Sequence, residues 1–420
     1  TSSCGYWNSV RSLYPNIFEN FSKRYPTTDI DKKATAKAYL NINRGFNISL
    51  MPGWYDQGFR PLPSGGYAPT VRFYLFGGNE WYWERIIDIN HVEELGDKAF
   101  FKKGISLKGK CWTPPGQEVQ ANDRVFIVEG IFHSIAMNMC GYKSASAFSC
   151  TFFPMELIEE NKGKSITWVL AYDDEPAARK HMAKYIKQLE EMGERFEVAL
   201  TGSKDDWDDL YRADKLNDKF IEESVWRGRI FKAKTIKEKA YALYGWKNLH
   251  YMVEDHHNQL YSIRVDNEVL NKNLGEGETF KYGFHKDAFM SALKVQQISN
   301  CVPTFLYIER NPYLEEGQKY FFNVDMAFNK EPVLVAFEAS ATNDPRNFSN
   351  ALLNRTPGGR FDGSAKDLRL LNSRWFDRRI DYVSTIDFIG YMPETETYVF
   401  NQFGFNNGKE LTVTEKGYLD

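Results

Sequence analysis

What this chain lacks narrows it first. Cysteine is sparse: Cys4, Cys111, Cys140, Cys150 and Cys301 are the five in 420 residues. The number is odd and no two form a Cys-x-x-Cys pair, so neither a disulfide framework nor a cysteine-rich zinc site is expected. Scattered thiols of this kind predict a reducing, cytoplasmic setting. No run of ~18 apolar residues occurs, so no membrane span or membrane partner is expected. An excess of one charge is missing too: 53 basic and 56 acidic side chains leave a net −3. Without a general basic coat, any nucleic-acid contact must use local patches. There is no Gly-x-x-x-x-Gly-Lys-Ser/Thr loop, which excludes the phosphate-loop ATPases. Tandem repeats and low-complexity tracts are absent as well. The opening Thr1-Ser2-Ser3-Cys4 has neither Met nor a signal-peptide pattern and predicts a piece of something longer.

Aromatic residues, by contrast, are plentiful: 10 Trp, 24 Tyr and 31 Phe make 15% of the chain. With 42% hydrophobic and 26% charged residues, the composition is that of a folded protein of two or three domains at ~100–200 residues each.

Residues 1–50 read as helical, with Asp29-Ile30-Asp31 as the start of a helix from Lys32 to Leu50. Prolines and glycines between 52 and 66 break the chain. Thr70 to Ile89, turning at Gly77-Gly78, reads as an aromatic-rich hairpin. Phe100 to Trp112 is basic and strand-like. A clearer pattern follows: a buried-type strand at Arg124–Val128, a helix at Ile131–Met139, a strand at Ser165–Ala171, a helix at Pro176–Met192, and a strand at Arg195–Leu200. The Asp205–Asp209 run then opens another helix toward Leu216. Strands alternating with helices predict an α/β fold, a parallel sheet in three layers. The predicted division is 1–120, mixed α+β; 121–212, the parallel sheet; 213–254, a helical basic linker; and 255–420, a second mixed region. The tract from Arg227 to Lys239 holds six basic residues, able either to follow a nucleic-acid backbone or to form a solvated helix face.

Each of the three predicted strands ends in acid. Glu129 follows the first, Asp173 and Glu175 the second, Asp206 and Asp208 the third. In a parallel sheet these ends share one edge, where ligands bind. Crowded carboxylates repel, and a divalent cation relieves that. Oxygen donors favour Mg²⁺ or Mn²⁺ over zinc. Metal–carboxylate sites of this kind serve phosphoryl and nucleotidyl transfer. Any single acid could equally be a helix cap; it is the three strand ends together that point to metal.

The stretches Val128-Glu129-Gly130-Ile131, Ala171-Tyr172-Asp173-Asp174-Glu175-Pro176-Ala177-Ala178-Arg179 and Lys204-Asp205-Asp206-Trp207-Asp208-Asp209-Leu210 resemble the Toprim domain of bacterial-type primases, topoisomerases and some nucleases. The lysine-flanked third stretch is most similar to phage and plasmid primases. Two positions depart from the pattern: Glu175 stands where an Asp is usual, and His133 where a further Asp is frequent. The segment Ala99-Phe100-Phe101-Lys102-Lys103-Gly104 through Gly109 resembles the basic stretch before Toprim in replicative primases. Thr356–Ser364, Arg374-Trp375-Phe376, Phe388–Tyr391, Tyr398–Phe400 and Gly408-Lys409 look, more loosely, like the segment that joins primase to helicase in fused proteins.

The resemblance implies a DNA primase. It would be a nucleotidyltransferase that makes RNA primers from ribonucleoside triphosphates on single-stranded DNA, with a helicase, fused or separate, as partner. It implies a Toprim sheet between a mixed α+β primase subdomain and a mixed α+β C-terminal domain. Glu129, Asp173, Glu175 and Lys103 become the catalytic set, and Glu129, Asp173, Glu175, Asp206 and Asp208 the ligands of Mg²⁺ or Mn²⁺. Lys102, Lys103, Lys108, Arg85 and Arg179 become the nucleotide or DNA contacts, with the aromatics near Arg85 available for base stacking. A Toprim nuclease, and an adaptor that binds single-stranded DNA and recruits a helicase without catalysis, remain open as alternatives.

Overall fold

The structure is a computed structural model. It describes residues 20–247, 252–255, 257–275, 277–310, 318–327, 329, 331–376, 380–384, 390–392, 397–400, 403–406 and 409–412. The chain divides into two compact units, 1–232 and 233–420.

The first unit begins with an antiparallel sheet of β1 (Asp56–Pro61), β2 (Tyr67–Tyr74), β3 (Tyr82–Ile86) and β4 (Ala99–Phe101), in that spatial order. The β2–β3 hairpin overlaps the segment that reads as a hairpin and begins three residues earlier, at Tyr67. Its alternation decides what faces where. Val71 and Phe73 are buried, while Arg72 and Tyr74 between them are partly exposed. The inward residues pack on Phe132, whose ring lies 6.0 Å from Phe73 and 5.4 Å from Trp83. Two expectations need correction here. The helix read from Lys32 to Leu50 is instead three short pieces: an α-helix at Ala34–Ala38, a π-turn at Tyr39–Asn43 and a 3₁₀ turn at Ile48–Leu50. Gly45, at φ 71°, separates the last two. The strand read from Phe100 to Trp112 stops at Phe101, because Gly104 and Gly109 both adopt positive φ. Trp112 still makes an isolated bridge to Ser146. The N-terminal part of the predicted first helical region, residues 1–19, lies outside the described residues.

Four parallel strands follow: β5 (Arg124–Val128), β6 (Lys143–Ser146), β7 (Thr167–Leu170) and β8 (Arg195–Val198), in spatial order β6-β5-β7-β8. Helices cover both faces, as the α/β reading requires. Phe126, Val128 and Val169 pack with α1 (Ile131–Met139) and α3 (Trp207–Arg212). The alternate residues Val125, Ile127, Trp168 and Leu170 pack with α2 (Pro176–Met192). Helix α4 (Asp218–Lys232) returns against β8, and Gly228 makes that contact possible. A Cβ at Gly228 would stand 1.8 Å from the Val198 carbonyl oxygen.

The second unit carries an antiparallel sheet of Met252–Glu254, Leu260–Val265 and Leu293–Ser299. A four-stranded sheet contains Cys301–Arg310, Lys319–Met326 and Val333–Glu338, with Tyr382–Ser384 added in parallel. The helices Pro345–Arg355 and Ala365–Phe376 pack on that sheet through Phe348, Leu352, Leu371 and Trp375. The stretch Thr356–Ser364 is the turn between those helices. Gly358 has φ 75° there, and Ser364 caps the next helix through Asp367. Short antiparallel strands between 390 and 412 complete the unit. Phe388, Ile389 and Gly408 lie outside the described residues. Among the described residues no helix is long and apolar enough to cross a membrane.

The basic tract Arg227–Lys239 is neither a continuous backbone track nor a wholly solvated face. It ends one unit and begins the other, and most of its charges have partners inside the protein. Arg227 reaches Glu223 (3.3 Å), and Arg229 lies over the Trp226 ring at 4.2 Å. Lys237 donates to the Met290 carbonyl at 3.0 Å and Lys239 to that of Glu254.

Candidate active site at the strand ends

In the spatial order β6-β5-β7-β8 the order of winding reverses at β5, all four strands staying parallel. That leaves a crevice between the carboxyl ends of β5 and β7, the topological switch point where open α/β sheets bind ligands. Glu129 leaves β5 there, and Asp173 follows β7 after two more buried residues, Ala171 and Tyr172. The crevice is made rigid around them. The Trp207 indole N–H donates to the Ala171 carbonyl at 2.7 Å, tying α3 to the end of β7. Asp174, whose side chain is 3% exposed, is held by Arg179 (2.6 Å) and accepts from the Gly202 N–H (2.8 Å), joining the loops after β7 and β8.

Glu129 and Asp173 are both pushed above the ordinary carboxylate range. For Glu129 burial comes first, then the Asp173 charge, with Glu175 adding to it. For Asp173 burial again leads, His133 opposes it, and Asp206 and Glu175 raise it further. One Asp173 oxygen, Oδ1, is buried without a hydrogen bond. Glu175 precedes Pro176 as the N-cap of α2, yet its side chain makes no capping bond and stays exposed.

The acids after β8 behave differently. His133, in the first turn of α1, stands between the two groups. Its Nε2 lies 3.2 Å from Asp206 Oδ2 and its Nδ1 3.5 Å from Asp173 Oδ1. Burial disfavours a charged ring, but the Asp206 hydrogen bond and the Asp173 charge outweigh it and push His133 up to about 9. Asp206 is half-buried, which by itself would raise it, but the His133 bond and a bond from the Asp209 N–H (2.8 Å) hold it well below the carboxylate range. Asp208, 1% exposed, is paired with Arg44 and lies 3.5 Å from Arg212 Nε. Arg44 comes from the π-turn region, 164 residues away, and lies 4.4 Å from the Phe132 ring centroid.

The sequence-predicted residues therefore separate. Glu129, Asp173 and Glu175 act on one another at the crevice. Asp206 and Asp208 sit on the same edge but are engaged by His133, Arg44 and Arg212. The basic segment borders this edge as well. Phe101 packs on Phe148 at 5.4 Å, and the Glu156 N–H donates to the Gly109 carbonyl. Lys103 and Lys108 are exposed along it. Lys102 donates to the Glu80 carbonyl at 2.8 Å and lies over Trp81. Arg85, expected as a DNA contact, is largely buried instead: it shares the inward face with Val71 and Phe73 and bonds to Tyr39. Arg179 is occupied by Asp174. Sequence reasoning missed Arg44 and Arg212, and also Cys150, whose backbone N–H bonds to Glu129.

Among the described residues no three His, Cys, Asp or Glu side chains are already grouped as metal ligands. The donor chemistry of Glu129, Asp173 and Glu175 still fits a hard divalent cation: all oxygen, mutually repelling, with one buried oxygen unbonded. Asp206 and Asp208 do not fit one as they stand, since protein cations already neutralise them.

No family model matches the chain, and no curated protein matches it. Solved structures are similar over part of it, among them three primases. The RNA polymerase domain of the Mycobacterium tuberculosis primase DnaG is 13% identical, with 54% of this chain and 84% of that one covered and a TM-score of 0.35. A DnaG primase catalytic domain bound to single-stranded DNA gives 12% identity, 57% and 91% coverage and a TM-score of 0.37. The zinc-binding and RNA polymerase domains of the Aquifex aeolicus primase give 16%, 57% and 64%, and 0.32. TM-scores this low mark a partial likeness of chain path, and no residue's role is drawn from it.

Proposed function

We propose that this protein makes RNA primers on single-stranded DNA by metal-dependent, template-directed condensation of ribonucleoside triphosphates, in the replication of a phage, plasmid or mobile element. The observation that carries the reading is the pair Glu129 and Asp173 at the switch point, both raised by burial first and by neighbouring carboxylates second, with Asp173 Oδ1 unbonded. Glu129, Asp173 and Glu175 would hold Mg²⁺ or Mn²⁺, which when bound supplies Lewis-acid activation of the attacking oxygen and charge neutralisation of the leaving pyrophosphate. The chain's own groups do the rest. Lys103 and Lys108, exposed on the same edge, would hold triphosphate and template phosphate. His133 keeps Asp206 ionised and fixes the start of α1 beside Glu129. A helicase, fused or separate, would take over from the primer.

Labelled ribonucleotides, single-stranded DNA and either metal should give short RNA, more of it with Mn²⁺, and Asp173→Ala should give none. Absence of primer with both metals, in protein that binds DNA, sinks the reading.

The second reading is an adaptor that binds single-stranded DNA without chemistry. It is favoured by the protein cations on Asp206 and Asp208. DNA binding with no primer and no measurable Mn²⁺ binding would put it first.

A further inference from the structure

We propose that the outward face of the β1–β4 sheet is a platform for single-stranded nucleic acid, on which bases stack against the guanidinium planes of Arg60 and Arg72. Tyr82 and Glu84 lie on the face opposite Val71, Phe73 and Trp83, and Arg72 and Phe100 are the cross-strand partners of Glu84. Glu84 is 2% exposed and accepts from four donors. Arg60 NH1 is at 2.9 Å, Arg72 NH2 at 2.9 Å, Arg72 Nε at 3.3 Å and Thr70 Oγ1 at 3.1 Å. The same two guanidiniums lie over rings: Arg60 is 3.6 Å from the Phe100 centroid and Arg72 3.9 Å from that of Tyr82. Gly58 makes room for this. A Cβ there would stand 2.3 Å from Thr70 Oγ1 and 3.0 Å from Arg72 Nε.

Burying a carboxylate between two arginines on a solvent-facing sheet is a poor device for stability, because desolvation offsets most of the attraction. It is a good device for holding two cationic planes still. Arginine planes and aromatic rings are the surfaces on which unpaired bases stack. The face also leads somewhere. The Lys102 N–H donates to the Tyr82 carbonyl at 3.0 Å, so the strip runs into the basic segment beside the acidic edge. That continuation rests on the primer-synthesis reading, but the binding itself needs neither metal nor nucleotide.

The test is fluorescence anisotropy of a labelled oligothymidylate of about 16 nucleotides, with the full chain, chelator and no triphosphate. An oligouridylate in parallel names the preferred sugar; binding of either supports the proposal. The triple variant Arg60→Gln, Arg72→Gln, Glu84→Gln removes all three charges together and leaves none stranded. Affinity should fall about tenfold or more. Should the triple variant fail to fold, Arg60→Lys with Arg72→Lys keeps the charge and loses the planes, and it too should bind more weakly. Photocross-links from 5-iodouracil should map to Tyr82 or Phe100. Undiminished affinity in a folded variant, equal affinity for a duplex, or cross-links confined elsewhere would overturn the platform. A protein that binds here but makes no primer would lose its proposed chemistry and keep this face.

Discussion

The two halves of the acidic edge have the same residue types and opposite electrostatics. Glu129 and Asp173 are raised by burial and by neighbouring carboxylates, only partly offset by His133, and hold their protons more tightly than free carboxylates do. Asp206 and Asp208, one strand further along, are neutralised from within by His133, Arg44 and Arg212. An acidic run therefore says where charge gathers and not whether it is available. That depends on which cations the rest of the chain brings, and here they come from α1, from α3 and from a turn 164 residues upstream.

Four substitutions would sharpen or break this contrast. The largest effect belongs to Arg44→Ala. It strands the buried Asp208 carboxylate, a loss of roughly 3–5 kcal/mol for an orphaned buried pair, read as a fall in the urea midpoint. A loss under about 1 kcal/mol would show that Asp208 does not depend on Arg44. Next is Asp173→Asn. Primer synthesis should drop by at least about a hundredfold, ~2.7 kcal/mol in the barrier, while the urea midpoint holds or rises because a repelling charge has gone. A less stable variant would place Asp173 with the neutralised half.

The third prediction concerns pH. His133 has a raised folded value, so its contribution to stability is complete below about pH 6.5. It is lost as pH rises toward about 9. Stability of the parent should decline across that window, and His133→Gln should flatten the curve. The same decline in both proteins would remove His133 as the bridge. The smallest change in stability is expected for Lys103→Ala, within ~0.5 kcal/mol for an exposed side chain. Primer yield should still fall severalfold, and full yield would take Lys103 out of the site.

The parallel strands β5 and β7 were legible because each is a short apolar run followed closely by acid, β8 because it follows the helix α2 in the alternating pattern, and α2 because proline opens it and glycine closes it. The edge strand β6 was not. Lys143-Ser-Ala-Ser146 has no apolar run, and tertiary partners such as Ser134, which bonds to Ser144, and Trp112 hold it in place. Glu129 and Asp173 could be found from the strand ends alone. The engagement of Asp208 by Arg44 could not, since a lone arginine in a broken helical stretch carries no periodic signal. For the Trp81-Tyr82-Trp83 run the composition showed stacking surfaces, but only the β2–β3 register settles which side each faces. That register turns Arg85 inward and Arg72 outward.

The contact at Gly228 has a genetic consequence. Helix α4 touches β8 backbone to backbone, with no flexible side chain between them to absorb an added methyl group. Gly228→Ala would force the helix off the strand that leads to Asp206, so the damage would pass along the sheet edge and not stay local. Such a lesion is of the kind that yields conditional alleles, in which a helix seats in the cold and lifts as the temperature rises.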